Sequence, residues 1–341
     1  MTPNLVSVVI LNWNGAEHLP GCLAAVREQD YRPLEVIVAD NASTDGSADQ
    51  IEHDPTVRLI RNATNLGFAA GNNRAIRAAQ GEFVLILNND AVIAPSYVSV
   101  LVRVLASDPT IGSATGKLLR ATVGPAGPII DSTGHVMYRN IWSTNRGEEE
   151  PDGATFKEPG EVFGVCAAAA LYRRAMLDDV LLEDEVFDSS FFAYLEDVDL
   201  DWRARLRGWR SWYEPTAVGV HARGGTGAWF STRIQRHIFK NRILMIIKND
   251  GGPGLLRRLP GMIAFTGAKL LQLTLMRPAA LLGTVDAVRL IPQAVRKRRV
   301  IQARRTIPSD ALETWFEPYP YRRKLRQGRF GRSRRQWISQ S

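Results

Sequence analysis

Residues 6–15 read VSVVILNWNG, a continuous apolar and β-branched run that ends abruptly in polar side chains. Such a run predicts a strand buried in a parallel sheet. Residues 34–39 (LEVIVA) and 83–87 (FVLIL) predict two more buried strands, and residues 57–61 predict a short one. Segments of helical composition separate them, so the alternation predicts an α/β fold with a doubly wound, mostly parallel sheet.

The pattern is looser after residue 110. It predicts an apolar strand over residues 162–172, a helix over 195–207, two short strands at 209–213 and 217–220, and a long helix over 230–248. The first of these helices is indicated by apolar side chains that recur every four residues and by the glycine that follows it.

Polar residues follow the predicted strands one after another. The first strand is followed by Asn12-Trp13-Asn14, the second by Asp40-Asn41, the third by Asn65 and Gly67, and the fourth by Asn88-Asn89-Asp90. In an open α/β sheet, ligands bind at the carboxyl ends of the strands. Four such endings predict a binding site at one edge of the sheet.

Five segments resemble the successive motifs of family 2 glycosyltransferases, most closely the rhamnosyltransferase-like branch. They are VSVVILNWNG (6–15), VIVADNASTDGS (36–47), NLGFAAGNNRAI (65–76), VLILNNDAVI (84–93) and FFAYLEDVDLDWRARLRGWR (191–210). The resemblance covers roughly residues 5–245. It implies a GT-A-type fold and an inverting, metal-dependent transferase that uses a nucleotide-diphosphate sugar as its donor.

The resemblance also implies a role for each matching residue. Asp40 would accept a hydrogen bond from the donor base, with Asn12, Trp13 and Asn14 lining the same pocket. The other implied donor-binding residues are Asn41, Asn65, Gly67, Asn88, Asn89 and Asp90. The alternative for Asp40-Asn41 is a strand cap that starts a turn.

Asn88-Asn89-Asp90 stands where such enzymes carry their DxD element. The resemblance implies that Asp90 binds Mg²⁺ or Mn²⁺, which neutralises the diphosphate. Residues 88 and 89 are asparagines where the family element is acidic, so Asp90 is the single carboxylate. This departure affects the expected metal affinity more than the expected use of a metal. His221 would be a further metal ligand. The alternatives are an Asx turn at residues 88–90 and a structural histidine.

Glu196-Asp197 begins the predicted helix at 195–207. The helix dipole and free N–H groups favour an ionised carboxylate there, which is what a general base requires. The resemblance implies that Asp197 is the catalytic base and that Glu196 positions the acceptor. The alternative is that acidic residues simply favour a first helical turn.

The charge divides the chain into two parts. Residues 251–341 hold 19 Lys and Arg against 4 Asp and Glu, whereas residues 1–250 hold 24 against 31. This predicts a catalytic domain over 1–250 and a basic, amphipathic helical region over 251–341.

The longest uncharged run between residues 254 and 293 has ten residues, 259–268, against about 20 needed for a spanning helix. We therefore expect the region to lie on an anionic membrane surface. The alternative is a charged tail packed on the catalytic domain.

With two cysteines and no signal-like N-terminus, we expect a cytoplasmic protein, peripheral at the inner face of the cell membrane. The rhamnosyltransferase-like branch that the sequence resembles implies L-rhamnose from dTDP-rhamnose as the donor sugar. The expected acceptor is a glycan or a polyprenyl-diphosphate-linked sugar, in cell-surface polysaccharide assembly. No nucleic-acid motif accompanies the charge, so nucleic acid is not an expected partner.

Two other functions remain open at this point. A sugar-1-phosphate nucleotidyltransferase shares the sheet type but carries a Gly-rich, Arg- and Lys-containing loop after its first strand, which residues 12–15 do not provide. A non-catalytic glycan- or nucleic-acid-binding protein on this fold would be free to lose Asp90, Glu196 and Asp197, all of which are present.

Overall fold

The computed structural model describes residues 1–223 and 231–321. The glycine-rich sequence at residues 224–227 and the basic sequence at residues 322–335 lie outside these residues. The strands are β1 Thr2–Asn12, β2 Leu34–Asp40, β3 Val57–Arg61, β4 Gly81–Asn88, β5 Ala91–Ile93, β6 Ile111–Gly124, β7 Gly127–Ser132, β8 His135–Tyr138, β9 Ser143–Asn145, β10 Gly160–Val162, β11 Ala169–Arg173, β12 Arg210–His221 and β13 Phe316–Glu317. The helices are α1 Leu19–Arg27, α2 Gly67–Ala78, α3 Tyr97–Ser107, α4 Arg174–Asp179, α5 Glu196–Leu206, α6 Thr232–Asn249, α7 Pro253–Met276 and α8 Leu282–Arg304.

The main sheet is built around the strand that the sequence predicts first. Its order is β10-β12-β6-β11-β4-β1-β2-β3, and β1 pairs in parallel with both β2 and β4. Val8, Val9 and Ile10 are completely buried, because α1 and α3 cover one face of the sheet and α2 and α4 cover the other. The predicted α/β fold with a mostly parallel central sheet is confirmed.

The prediction of one strand over residues 162–172 is wrong. β10 pairs with β12, whereas β11 lies between β4 and β6, so the chain must cross the sheet between them. Residues 163–168 make this crossing, and their alanines are buried without being in a strand. The two short strands predicted at 209–213 and 217–220 are instead one strand, β12, whose register against β6 shifts between Glu214 and Val218.

The described C-terminal helices pack against the sheet domain, as the charged-tail alternative supposes. Met262 of α7 and Ile301 of α8 share a hydrophobic cluster with Trp202 of α5 and Leu244 of α6. β13 pairs with β8, which adds backbone hydrogen bonds to the same contact. The helical C-terminus is confirmed. Its separation from a catalytic domain ending at residue 250 stays a prediction.

A buried ion cluster joins α6 and α8 to the loop before α5. Asp188 lies 2.5 Å from Nζ of Lys248 and 2.8 Å from Nζ of Lys297, and all three side chains are at most 2% exposed. A buried carboxylate needs such partners because its desolvation is costly. Lys297 of the basic region is therefore a structural residue.

Candidate active site

The carboxyl ends of β1, β2 and β4 are tied together by side chains. In the parallel register Asn12 lies beside Asp40, and Leu11 lies beside Asn88. Asn12 donates from Nδ2 to Asp40 Oδ1 at 2.9 Å, and it accepts from Asn89 Nδ2 at 3.0 Å. The edge at which the sequence predicts a binding site is thus one hydrogen-bonded unit.

Asp40 lies inside this unit. It is 2% exposed, and it accepts hydrogen bonds from the backbone N–H of Ser43 at 3.0 Å and from the Ser43 hydroxyl. Trp13 and Asn14 beside it are exposed, and Asn14 Oδ1 accepts from Thr44 N–H at 2.9 Å. These two residues and the loop after β2 form the open rim of the unit.

Asn41 is buried below this rim. Its Nδ2 donates to the carbonyl of Gly67 at 3.1 Å and to Asn65 Oδ1 at 3.3 Å, while its Oδ1 accepts from Asn62. The side chain is therefore committed to joining the end of β2 to the start of α2. Direct contact of Asn41, Asn65 and Gly67 with a donor stays a prediction.

Asp90 and His221 meet beside the end of β4. β5 pairs with β12 directly after the Asn88-Asn89-Asp90 turn, which brings Asp90 Oδ1 to 3.1 Å from His221 Nε2. Asn88 Nδ2 lies 3.3 Å from the same ring nitrogen. The structure thus brings together the residues that the resemblance implies as metal ligands.

Asp131 of β7 is a residue of this cluster that sequence reasoning missed. It is completely buried and accepts from His221 Nδ1 at 2.8 Å, and Arg223 also pairs with it. Burial alone would lower the pKa of His221, but its hydrogen bonds to Asp131 and Asp90 outweigh burial and raise the pKa to about 10. A polar residue after Ile129-Ile130 is the same strand-end signal that marked Asp40.

The donor set suits a divalent cation. Asp90 offers a carboxylate oxygen, and His221 would offer an imidazole nitrogen once the ion displaces the proton on Nε2. This set fits Mn²⁺ or Mg²⁺ when substrate phosphates complete the coordination. Asp131 holds His221 by Nδ1 and so directs Nε2 toward Asp90, as a carboxylate behind a metal-binding histidine does. Asp90 and His221 would hold such an ion, with Asn88 beside them.

The second acidic cluster lies at the start of α5. Asp197 Oδ1 accepts from the N–H of Val198 at 2.9 Å, and Oδ2 accepts from the N–H of Ala167 at 3.3 Å. The next residue, Ala168, accepts from the N–H of Asn88 at 2.9 Å. The crossing segment 163–168 therefore connects Asp197 to the end of β4 that carries Asp90.

Glu196 differs from the sequence-based expectation of an ionised carboxylate at the helix start. It is 5% exposed, and its Oε2 has no hydrogen-bond partner among the described residues. Burial, and then the charge of Asp197, raise the pKa of Glu196 well above its usual range. A raised pKa favours the neutral carboxyl group, which can donate a hydrogen bond.

The turn that presents α5 is strained. Phe192, Tyr194 and Leu195 all have positive φ, between 66° and 72°. Asn241 of α6 holds this turn, since its Nδ2 donates to three backbone carbonyls, those of Phe191, Ala193 and Tyr194. Strained backbone that its surroundings hold in this way is typical of functional sites.

A family model described as glycosyl transferase family 2 matches residues 7–181. The chain belongs to this family. A protein of Mycobacterium tuberculosis named N-acetylglucosaminyl-diphospho-decaprenol L-rhamnosyltransferase is 28% identical over 274 residues, which cover 73% of this chain and 86% of that protein. An N-acetylglucosaminyltransferase of Sinorhizobium fredii is 29% identical over 227 residues, covering 64% of this chain and 52% of that one. The protein is a glycosyltransferase.

Solved structures support the fold. Staphylococcus aureus TarS 1-349 in complex with UDP-GlcNAc has a TM-score of 0.54 at 16% identity, covering 95% of this chain and 92% of that one. The mannosyltransferase PcManGT from Pyrobaculum calidifontis, in complex with GDP-Man and Mn²⁺, has a TM-score of 0.51 at 20% identity, covering 91% and 87%. The GT-A fold predicted from the sequence is confirmed.

Proposed function

We propose that this glycosyltransferase is inverting and metal-assisted, with Asp197 as its base and Asp90 and His221 as its metal ligands. The observation that carries the proposal is the crossing segment 163–168, which contacts both the carboxylate of Asp197 and the end of β4. A base and a phosphate site held side by side are what a direct displacement requires. Neither the nucleotidyltransferase nor the non-catalytic alternative accounts for this pairing.

The residues of the chain define a single displacement. The acceptor hydroxyl loses its proton to Asp197 while its oxygen forms a bond to the anomeric carbon. The bond from that carbon to the diphosphate oxygen breaks, and its electron pair leaves with the diphosphate. Attack opposite the leaving group inverts the anomeric centre. A bound Mg²⁺ or Mn²⁺ supplies positive charge to the departing diphosphate.

The donor is a nucleotide-diphosphate sugar, with dTDP-rhamnose as the leading candidate. The mycobacterial relative's name contains both the rhamnosyl group and a diphospho-decaprenol acceptor. Relatives named as N-acetylglucosaminyltransferases match over a smaller share of this chain. We therefore propose L-rhamnose transfer to a glycan or polyprenyl-diphosphate-linked sugar in cell-surface polysaccharide assembly.

We also propose membrane contact at the inner face, through the apolar side of α7. Leu256, Ile263, Leu271 and Leu275 are between 62% and 76% exposed. An exposed apolar surface of this kind is characteristic of an interaction site. On length and composition alone, the helix Gly254–Met276 could span a membrane. This corrects the sequence-based argument that an uncharged run of ten residues is too short for a spanning helix. Met262, Phe265 and Leu273 of the same helix are buried, which favours a helix lying on the bilayer surface.

The basic residues of α7 and α8 have two different roles. Arg298 donates to the carbonyl of Ile247, and Arg258 pairs with Asp250 at 2.5 Å, so both stabilise the fold. Arg289, Arg296 and Arg299 are exposed. Exposed cations on α8 would suit an anionic lipid surface.

A hydrolysis screen tests the proposed reaction. Purified protein is incubated with dTDP-rhamnose, UDP-GlcNAc and GDP-mannose, with Mn²⁺ or with EDTA, and the released nucleoside diphosphate is measured. The proposal predicts release from one donor above the others, in Mn²⁺ only. Equal release from every donor, or release that persists in EDTA once retained metal is excluded, contradicts it.

A further inference from the structure

The ring of His135 lies between two carboxylates of α5. It is 4% exposed, its Nδ1 is 2.7 Å from Asp201 Oδ2, and its Nε2 is 3.5 Å from Asp197 Oδ2. Asp197 and Asp201 are four residues apart, so they share one face of the helix. His135 thus connects the proposed base to a second, buried carboxylate.

The backbone around this ring fits it closely. Gly134 has a φ of +109°, and the N–H of His135 donates to the carbonyl of Gly164 at 2.8 Å. A Cβ atom added at Gly164 would lie 1.8 Å from Asp201 Oδ2, so only glycine permits this approach. Asp201 Oδ2 also accepts from the N–H of Val165 at 3.1 Å. Asp201 is therefore a fixed anchor for the ring.

The charges around the ring favour its protonated form. Burial alone would lower the pKa of His135, but Asp197, Asp201 and a hydrogen bond to Cys166 raise it well above its usual range. Burial raises the pKa of Asp201 to about 6 even against the attraction of His135. Glu196 and Tyr172 of β11 also face this cluster, and burial followed by the aspartate charges raises the pKa of both.

We infer that His135 is the positioning residue of Asp197, an inference that rests on the proposed role of Asp197 as base. His135 and the N–H of Ala167 engage Oδ2. Oδ1 accepts only the N–H of Val198 among the described residues, and a carboxylate oxygen has two acceptor positions. The ring thus fixes the carboxylate so that Oδ1 faces the acceptor hydroxyl with one position free.

A matched pair of substitutions separates positioning from packing. His135→Gln places an amide nitrogen near the position of Nε2 and preserves the contact with Asp197. His135→Asn places it near Nδ1 and preserves only the contact with Asp201. His135→Asn should lower kcat in donor hydrolysis by about 10- to 100-fold, as misplacing a catalytic group by about 1 Å does. Binding of dTDP with Mn²⁺ should be unchanged, and His135→Gln should retain most of the activity. Equal kcat values for the two variants overturn the inference.

A second measurement does not depend on activity. The chain has five histidines, so ¹⁵N-histidine NMR resolves their rings, and the His135 variants assign its signals. Asp197→Asn should shift the ring signals of His135 and lower the pH at which it loses its proton. If Asp197→Asn leaves those signals unchanged, His135 does not contact the carboxylate and the inference is wrong. If the wild-type protein hydrolyses no donor but Asp197→Asn does alter the His135 signals, the proposed function is refuted and the contact between His135 and Asp197 is not.

Discussion

Asp131 Oδ2 accepts a hydrogen bond from Nδ1 of His221 at 2.8 Å, and this contact turns Nε2 of the ring toward Asp90. The two residues are 90 positions apart in sequence, on β7 and at the end of β12. The proposed metal site is therefore completed by a residue that would bind no metal itself.

Asp131→Asn tests that relationship. The substitution keeps the size of the side chain but removes the charge that holds the His221 ring, so Mn²⁺ affinity should fall by about 10- to 100-fold. Calorimetric titration of Mn²⁺ in the presence of dTDP measures the effect. Asp152→Asn is the control, because Asp152 pairs with Lys117 instead. Equal affinities for wild type and Asp131→Asn would contradict the role of Asp131.

Asp90→Ala should abolish Mn²⁺-dependent binding of dTDP, because it removes the single carboxylate among residues 88–90. His221→Ala should weaken this binding by less, since Asp90 is retained. The same titration compares the two variants. Undiminished Mn²⁺-dependent binding in Asp90→Ala would place the metal elsewhere.

The sequence predicts β1, β2 and β4 well because each is a buried apolar run, and the same runs locate the binding edge. It fails over residues 162–172, where buried alanines lie in a crossing segment that has the composition of a strand. Burial and strand formation are different properties, and only the pairing of β10 and β11 with different neighbours distinguishes them here.

The metal and base candidates were found from sequence, whereas the residues that hold them were not. Asp131, His135 and Asn241 act across 47 to 90 positions, through contacts that only the folded chain creates. The buried state of Glu196 is hidden for the same reason. An acidic residue in a first helical turn has the same local sequence whether solvent or protein covers it.

The ion cluster around Asp188 should contribute strongly to stability. Asp188→Ala removes the carboxylate that Lys248 and Lys297 share, at a cost of about 3–5 kcal/mol in the free energy of unfolding. Lys248 keeps Asp199 at 2.9 Å, whereas among the described residues Lys297 keeps only Glu183 at 3.6 Å. The charges of the two lysines outweigh burial and hold the pKa of Asp188 far below its usual range. The contribution is therefore fully present at pH 7 and declines as the pH falls below about 4, where the unfolded chain takes up the proton. Urea unfolding of both proteins at pH 7 and pH 3 measures this. A difference that grows at pH 3 would contradict the account.

Membrane contact should depend more on the apolar face of α7 than on the exposed arginines of α8. Ile263→Gln with Leu271→Gln should weaken sedimentation with vesicles, since each apolar side chain that inserts into the lipid contributes about 1.5–3 kcal/mol. Arg296→Glu with Arg299→Glu should weaken sedimentation only with anionic vesicles at low salt, by about 1 kcal/mol for each cation removed. Neither pair should alter hydrolysis of a soluble donor. Wild-type protein that does not sediment with vesicles containing phosphatidylglycerol at low salt would contradict membrane contact.

The proposed mechanism, a direct displacement by an acceptor that Asp197 activates, determines the stereochemistry of the product. NMR of the first-formed product should show an anomeric configuration opposite to that of the donor. A product with the donor's configuration would require two displacements and would exclude the proposed mechanism.

The most direct test of the account is the transfer rate of Asp197→Asn at saturating donor, alongside its affinity for dTDP with Mn²⁺. The amide keeps the shape of the side chain but cannot take the acceptor proton. The account predicts a rate about 10²–10⁴ times lower with nucleotide affinity unchanged. Glu196→Gln, the neighbouring control, should lose less. A rate near that of the wild-type enzyme would show that Asp197 is not the base.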